Sequence, residues 1–209
     1  MTASTLSGPA RRAGARDLAS DGRRRRSDAS RRAIVEAMLE LVREGDPSPS
    51  AEQVAARAGV GRRTVFRLFS DMDGLYREMH GVIRARVAPI RTLPLPPGPA
   101  AARLLALAER RSVFFEDVLP LWEAGALYRS RSEALRQEQA RMQAELRSIL
   151  LEVCPEELRA DGELVELLDA VLSIDLWRRL RRDQGLAPGE ARALVVRLVA
   201  AIVPPDPGA

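Results

Sequence analysis

The stretch from Ser50 to Ser70, SAEQVAARAGVGRRTVFRLFS, constrains this 209-residue chain more than any other. Ser50-Ala51-Glu52-Gln53 has the spacing of a capping box, in which a hydroxyl takes an orphan N–H and the glutamine reaches back to the cap, so a helix starts at Ala51. Val54, Ala55 and Ala58 share its inner side. Gly59 ends it, where a left-handed backbone is cheap only for glycine. Gly61 opens a second short helix, Arg62 to Phe69, with Val65, Leu68 and Phe69 inward. Two helices that cross steeply need a small residue at the crossing, a glycine in the turn and apolar residues to lock the pair. Ala55, Gly59 and the set Val54, Ala58, Val60, Val65 and Leu68 supply these at fixed spacing, which predicts a helix-turn-helix. A helical hairpin that binds nothing is the bland alternative.

All other strong signals after residue 30 are also helical, so an all-α fold is expected. Ile34, Met38 and Leu41, with Val35, Leu39 and Val42, give the first helix a wide apolar face, and Gly45-Asp46-Pro47-Ser48-Pro49 ends it. A fourth helix is predicted over about 73–88, limited by Pro89. The proline-rich run from Arg91 to Pro99 is a stiff connector. Beyond it the apolar spacing predicts a helix through Leu104, Leu107, Phe115 and Val118, a short one over 121–128, and a long one from Leu135 to Val153. Two more follow, over about 163–182 and 188–203. The expected organisation is a tail (1–30), a three-helix helix-turn-helix head (31–80) and a C-terminal helical bundle (81–209).

Charge separates these parts. All 33 basic residues are arginine. The first 32 residues hold nine of them against Asp17, Asp21 and Asp28, a net +6, while the remaining 177 residues net −2. The tail lacks a helical apolar period and is read as disordered. It is either a solvated charge run or a basic arm for phosphates. No run of 18 or more uncharged apolar residues occurs, so no membrane span is expected, and the N-terminus lacks a secretory h-region. With one cysteine, Cys154, and one histidine, His80, disulfide frameworks, cysteine-built zinc sites and most triads are excluded. No nucleophile with its base and no phosphate-cradling glycine loop is assembled, so neither catalysis, a metal nor a cofactor is expected. The chain is expected to be cytoplasmic, and its arginine- and alanine-rich make-up suits a GC-rich bacterial genome.

A helix-turn-helix offers the N-terminal end of its second helix to the major groove. Arg62, Arg63 and Arg67 lie on the outward side of that helix, and arginine can pair with guanine O6 and N7 or clamp a phosphate. Thr64 can donate to a phosphate, while Ser50 and Gln53 sit where helix N–H groups favour an anion. Residues 33–80 resemble the DNA-binding domain of TetR-type transcriptional regulators, above all in AEQVAARAGVGRRTVFRLFSDMDGLYREM, Ala51 to Met79. The segment from Trp177 to Leu186 resembles the end segment of many such regulators. The resemblance implies an all-helical homodimer with an operator-binding head and a larger ligand-binding and dimerising body. It places the DNA contact on Ser50, Gln53, Gly61, Arg62, Arg63, Thr64, Phe66 and Arg67. Two positions depart from the pattern: Phe66 stands where a tyrosine usually contacts a phosphate, and Met72 where a lysine often does.

For the body, Phe114, Phe115, Trp122, Tyr128, Met142 and Trp177 are either core or the lining of an apolar effector pocket. Asp175 is expected to pair with Arg178 or Arg179. The last two helices are apolar on more than one stripe, which fits a four-helix interface between two copies or a central place in a monomeric bundle. The resulting expectation is a sequence-specific DNA-binding regulator, a repressor released from its operator by a small molecule. The alternative is a ligand-binding or protein-interaction helical dimer without specific DNA readout.

Overall fold

The computed structural model describes the backbone of residues 10–130 and 132–203, and their side chains except at 10–20, 23 and 127. The described residues form ten α-helices and one π-helical turn, with no strand among them. The first four are α1 (Ala10–Arg43), α2 (Ala51–Arg57), α3 (Arg62–Phe69) and α4 (Met72–Thr92). The body holds α5 (Ala100–Arg129), α6 (Glu133–Val153), α7 (Glu156–Ala160), α8 (Gly162–Val171), α9 (Ile174–Arg178), the π-turn (Arg179–Asp183) and α10 (Pro188–Ile202). The all-α expectation, a helix-turn-helix head on a helical bundle, holds.

Several boundaries differ from those expected. The unstructured tail is corrected over residues 10–30, which belong to α1; residues 1–9 lie outside the described residues. Alanine and arginine are strong helix formers, and a helix already nucleated by the buried turns at Ile34 and Met38 extends without a second nucleation cost. Asp21 and Arg25, one turn apart, pair at 3.1 Å and help the extension. α4 continues through Pro89 to Thr92, and α5 through Pro120 to Arg129, so the short helix over 121–128 is part of α5. Each proline removes only one N–H, and tertiary burial on both sides of it keeps the helix running. The expected helix over 163–182 is cut at Leu172. There the Ser173 hydroxyl accepts from Leu176 N (3.2 Å) and donates to Ala170 O (2.7 Å), displacing helical bonds. After α9 the ladder widens, with Gln184 N donating to Arg179 O at 3.0 Å.

α5 is the hub of the body, packing on α4, α6, α9 and α10 and touching α1. Arg111 of α5 is only 1% exposed. It donates to Leu172 O at 2.8 Å and to Leu146 O, tying the end of α8 to α6. Glu116 accepts from Trp177 Nε1 (3.1 Å) and Arg181 Nε (2.8 Å), and the Arg181 guanidinium holds its carboxyl below the usual range. α4 runs through both halves: Leu75, Tyr76 and Met79 are buried, as are Ile83, Val87 and Ile90 further along, all in one continuous apolar cluster. The expected division at 80/81 therefore falls inside a helix shared by head and body.

His80 is buried at this junction, and its Nε2 has no hydrogen-bond partner. Burial, and secondarily the Arg129 charge, pushes its pKa down to about 4, against a weaker pull from Glu138. Between pH 6.5 and 4 the unfolded chain then binds the extra proton, so stability is full above pH 6.5 and falls on acidification, by up to about 3 kcal/mol. Thermal denaturation across that window should show this loss, and His80→Gln should flatten the dependence.

Candidate nucleic-acid interface

The head is assembled as its sequence requires. Gln53 N donates to Ser50 Oγ (3.3 Å) and Ser50 N to Gln53 Oε1 (2.8 Å), so the capping box is closed. Val54, Ala55, Val65 and Phe69 are buried, and Val60 N bonds Ala55 O at 3.0 Å across the turn. Gly59 sits at φ +65°, as its place in the turn demands. Arg57 leaves α2 backwards: its guanidinium grips Glu44 at 2.8 and 2.7 Å and Glu40 at 3.3 Å, fixing α2 to α1. That cation is spent inside the head.

The outward face of α3 carries Arg62, Arg63, Phe66 and Arg67, all exposed. At 100° per residue they span a sector of about 140°. Arg62 pairs with Glu52 at 2.6 Å and lies 5.5 Å from the Phe66 ring centroid. Arg63 and Arg67 have no hydrogen-bond or ion-pair partner among the described residues. Gly61 is the N-cap of α3 and Thr64 N bonds its carbonyl at 2.8 Å. Thr64 is half-buried. Gln53 is more committed than its sequence suggests, since Nε2 also donates to Asp46 at 2.9 Å. Its amide steadies the loop before α2, leaving Ser50 as the freer group at that helix start. Met72 packs against the apolar cluster, so it adds nothing to the cationic face.

The joint between α3 and α4 falls at Ser70-Asp71, where the sequence breaks the helix, and its closeness depends on Gly74. Ser70 has φ +62°, and the Asp71 carboxylate accepts from Gly74 N at 2.8 Å. A Cβ on Gly74 would stand 2.3 Å from the Phe69 backbone oxygen, so only glycine lets α4 start this close to α3. The DMDG run held the signal: an aspartate cap followed three residues later by a glycine.

Of the six expected pocket residues, Trp177 and Met142 border different cavities. Phe114 and Phe115 are core, 5.5 Å apart. Trp122 is buried with Arg129 4.6 Å over its ring. Tyr128 stacks on Tyr76 at 4.1 Å and meets the Ser48 hydroxyl at 3.3 Å, a head-to-body contact. Trp177 borders a groove of about 330 Å³ with Val113 and Pro188. Met142 borders a different cavity of about 350 Å³, with Arg111, Leu172 and Asp175. The expected Asp175 pairing is corrected: Arg178 binds Asp183 at 3.2 Å instead, because the π-turn brings that carboxylate round to it. Cys154 is buried, and that burial raises its thiol pKa.

The arrangement of head and bundle can be set beside solved structures. Over 83% of this chain and 98% of the other, it matches a structure from Rhodococcus sp. described as a TetR-family transcriptional regulator, at TM-score 0.63 and 20% identity. A TetR-family transcriptional regulator from Streptomyces coelicolor matches over 82% of this chain and 81% of its own, at TM-score 0.60 and 20% identity. This chain has the TetR-regulator fold. LfrR from Mycobacterium smegmatis, a TetR-like transcriptional regulator solved with proflavine, matches over 85% and 98% at TM-score 0.54 and 19% identity. No family model and no curated protein sequence matches the chain. No helix among the described residues is long and apolar enough to cross a membrane.

Within this TetR-type head, Gly74 sets how closely α3 and α4 approach. Gly74→Ala should lower stability by about 1–3 kcal/mol through the forced backbone shift. Gly81→Ala, in the same helix with nothing within 4 Å of the added carbon, should be neutral or stabilising by up to about 1 kcal/mol. Urea unfolding of the two variants beside the parent checks the contrast.

Proposed function

We propose that this chain is a sequence-specific DNA-binding transcriptional regulator of the TetR type, a repressor released from its operator by a small molecule. The observation that carries the reading is the solvent-facing arginine surface of α3, held on a closed helix-turn-helix and not folded against the protein. Arg63 and Arg67 are the base-reading candidates, since they are exposed and unpaired. Arg62 must exchange Glu52 for a base or a phosphate. Phe66 offers an apolar face of the kind that meets a thymine methyl. Ser50, Gly61 and Thr64 lie where backbone and hydroxyl donors can take phosphates, with Gln53 bracing Ser50.

Two copies are needed to read a two-fold operator. Leu167 of α8 is 48% exposed and Leu198 of α10 is 39% exposed, although both helices also contribute to the core. Their outer faces suit an isologous four-helix interface. The effector site belongs to the body, where the cavities beside Trp177 and Met142 have the size of small-ligand sites; LfrR, with its bound proflavine, supports a body of this fold taking an organic ligand. α4 is 21 residues long, about 32 Å, and would carry a shift in the body to the head. A change in head separation mismatches half-sites fixed on the duplex. The linkage is reciprocal, so operator DNA must weaken effector binding by the factor by which effector weakens operator binding.

Selection from a random duplex library should yield a two-fold operator, with a ratio of at least about 10³ over random DNA. Arg63→Ala or Arg67→Ala should cost about 1–3 kcal/mol on that operator and relax preference at one base position per half-site. Uniform, sequence-blind binding by the parent chain would instead favour a helical dimer without DNA readout. The double substitution Leu167→Glu with Leu198→Glu should halve the mass measured by light scattering while leaving helical content intact; an unchanged mass places the interface elsewhere.

A further inference from the structure

We propose that the amino-terminal half of α1 is a rigid cationic rod whose arginine-rich side lies along the phosphates flanking the site read by α3. The inference rests on the DNA-binding reading above and adds a second, sequence-blind surface to it.

The rod is tied to the recognition helix. Arg31 donates from Nη1 to Leu68 O at 3.0 Å and from Nη2 to Glu78 at 2.7 Å, and its guanidinium lies 4.7 Å from the Phe69 ring centroid. α1 is thereby pinned to the carboxyl end of α3. From Arg31 back to Ala10 the helix runs about 32 Å, close to one turn of duplex.

This half of α1 has no apolar stripe, so no core explains its length. Its charges are sorted instead. In helical register, positions 12, 16, 23 and 26, all arginine, fall within about 80° of one another. The aspartates at 17, 21 and 28 fall within about 40° on nearly the opposite side. No acid stands three or four positions from any of these four arginines, the spacing at which helical side chains pair. Among the described side chains, Arg24, Arg25 and Arg26 are exposed, and of these Arg25 alone has an ion partner, Asp21. A rod positive along one side and negative along the other orients itself on a polyanion, and each phosphate it neutralises releases a condensed counterion. The near-neutral body supplies no such attraction, and Met72 leaves the head without a basic group there.

The test uses the full chain and two variants that each remove four charges. One is Arg12→Gln, Arg16→Gln, Arg23→Gln and Arg26→Gln together, on the arginine side. The other is Arg11→Gln, Arg24→Gln, Arg25→Gln and Arg32→Gln, off that side. Affinity for a selected operator with 15-bp flanks and for random duplex is measured over a salt series. The arginine-side variant should lose about 0.9 of salt slope for each phosphate contact removed, with equal fold-losses on both DNAs and an unchanged specificity ratio. The off-side variant should lose less than half as much slope. Equal losses in the two variants, or no loss in the first, overturn the proposal. A parent chain without operator preference sinks the regulator reading instead, and the random-duplex slopes still decide whether the rod binds phosphates.

Discussion

The architecture depends on α4 being buried twice. One helix buries Leu75, Tyr76 and Met79 near the head and Ile83, Val87 and Ile90 further along, and both sets join a single apolar cluster. Sliding or tilting α4 cannot relieve one core without disturbing the other, because packed interiors tolerate little volume change. The contacts beside it reinforce the link. Tyr76 stacks on Tyr128, Ser48 reaches Tyr128 from the loop before α2, and His80 is enclosed where α4 meets the body. A displacement of α4 at the body would therefore be felt at α3.

Arginine divides into two populations. Inside the fold it is structural: Arg57 clamps α2 to α1, Arg111 caps the end of α8, Arg181 and Arg182 hold the π-turn to α5, and Arg31 fastens α1 to α3. On the outer side of α3, Arg63 and Arg67 are left unpaired, as is Arg26 among the described side chains of α1. A planar guanidinium group is a fork that suits carbonyls and carboxylates within a fold and, in general, phosphates and guanine outside it.

The head was legible because its requirements are local. A serine cap with glutamine three residues on, a small residue at the crossing and a glycine in the turn each act within a few residues, and the structure reproduces them. Gly74 was not read, because its reason is a backbone oxygen on another helix. The proline positions misled for the same kind of reason: Pro89 and Pro120 end helices in isolation, whereas burial on either side carries α4 and α5 past them. Residues 10–30 lack an apolar period, yet α1 runs through them, because alanine and arginine propagate a helix already nucleated downstream.

The sequence by itself determined that the chain is helical, where the helix-turn-helix lies and which arginines stand on its outer side, because periodicity and capping are short-range. Only the tertiary structure decided that Trp177 and Met142 border different cavities, that Asp183 and not Asp175 takes Arg178, that Gln53 is engaged by Asp46, and that α1 abuts the end of α3. Those outcomes depend on which helices become neighbours, and neighbours distant in sequence are chosen by how the apolar faces pack together.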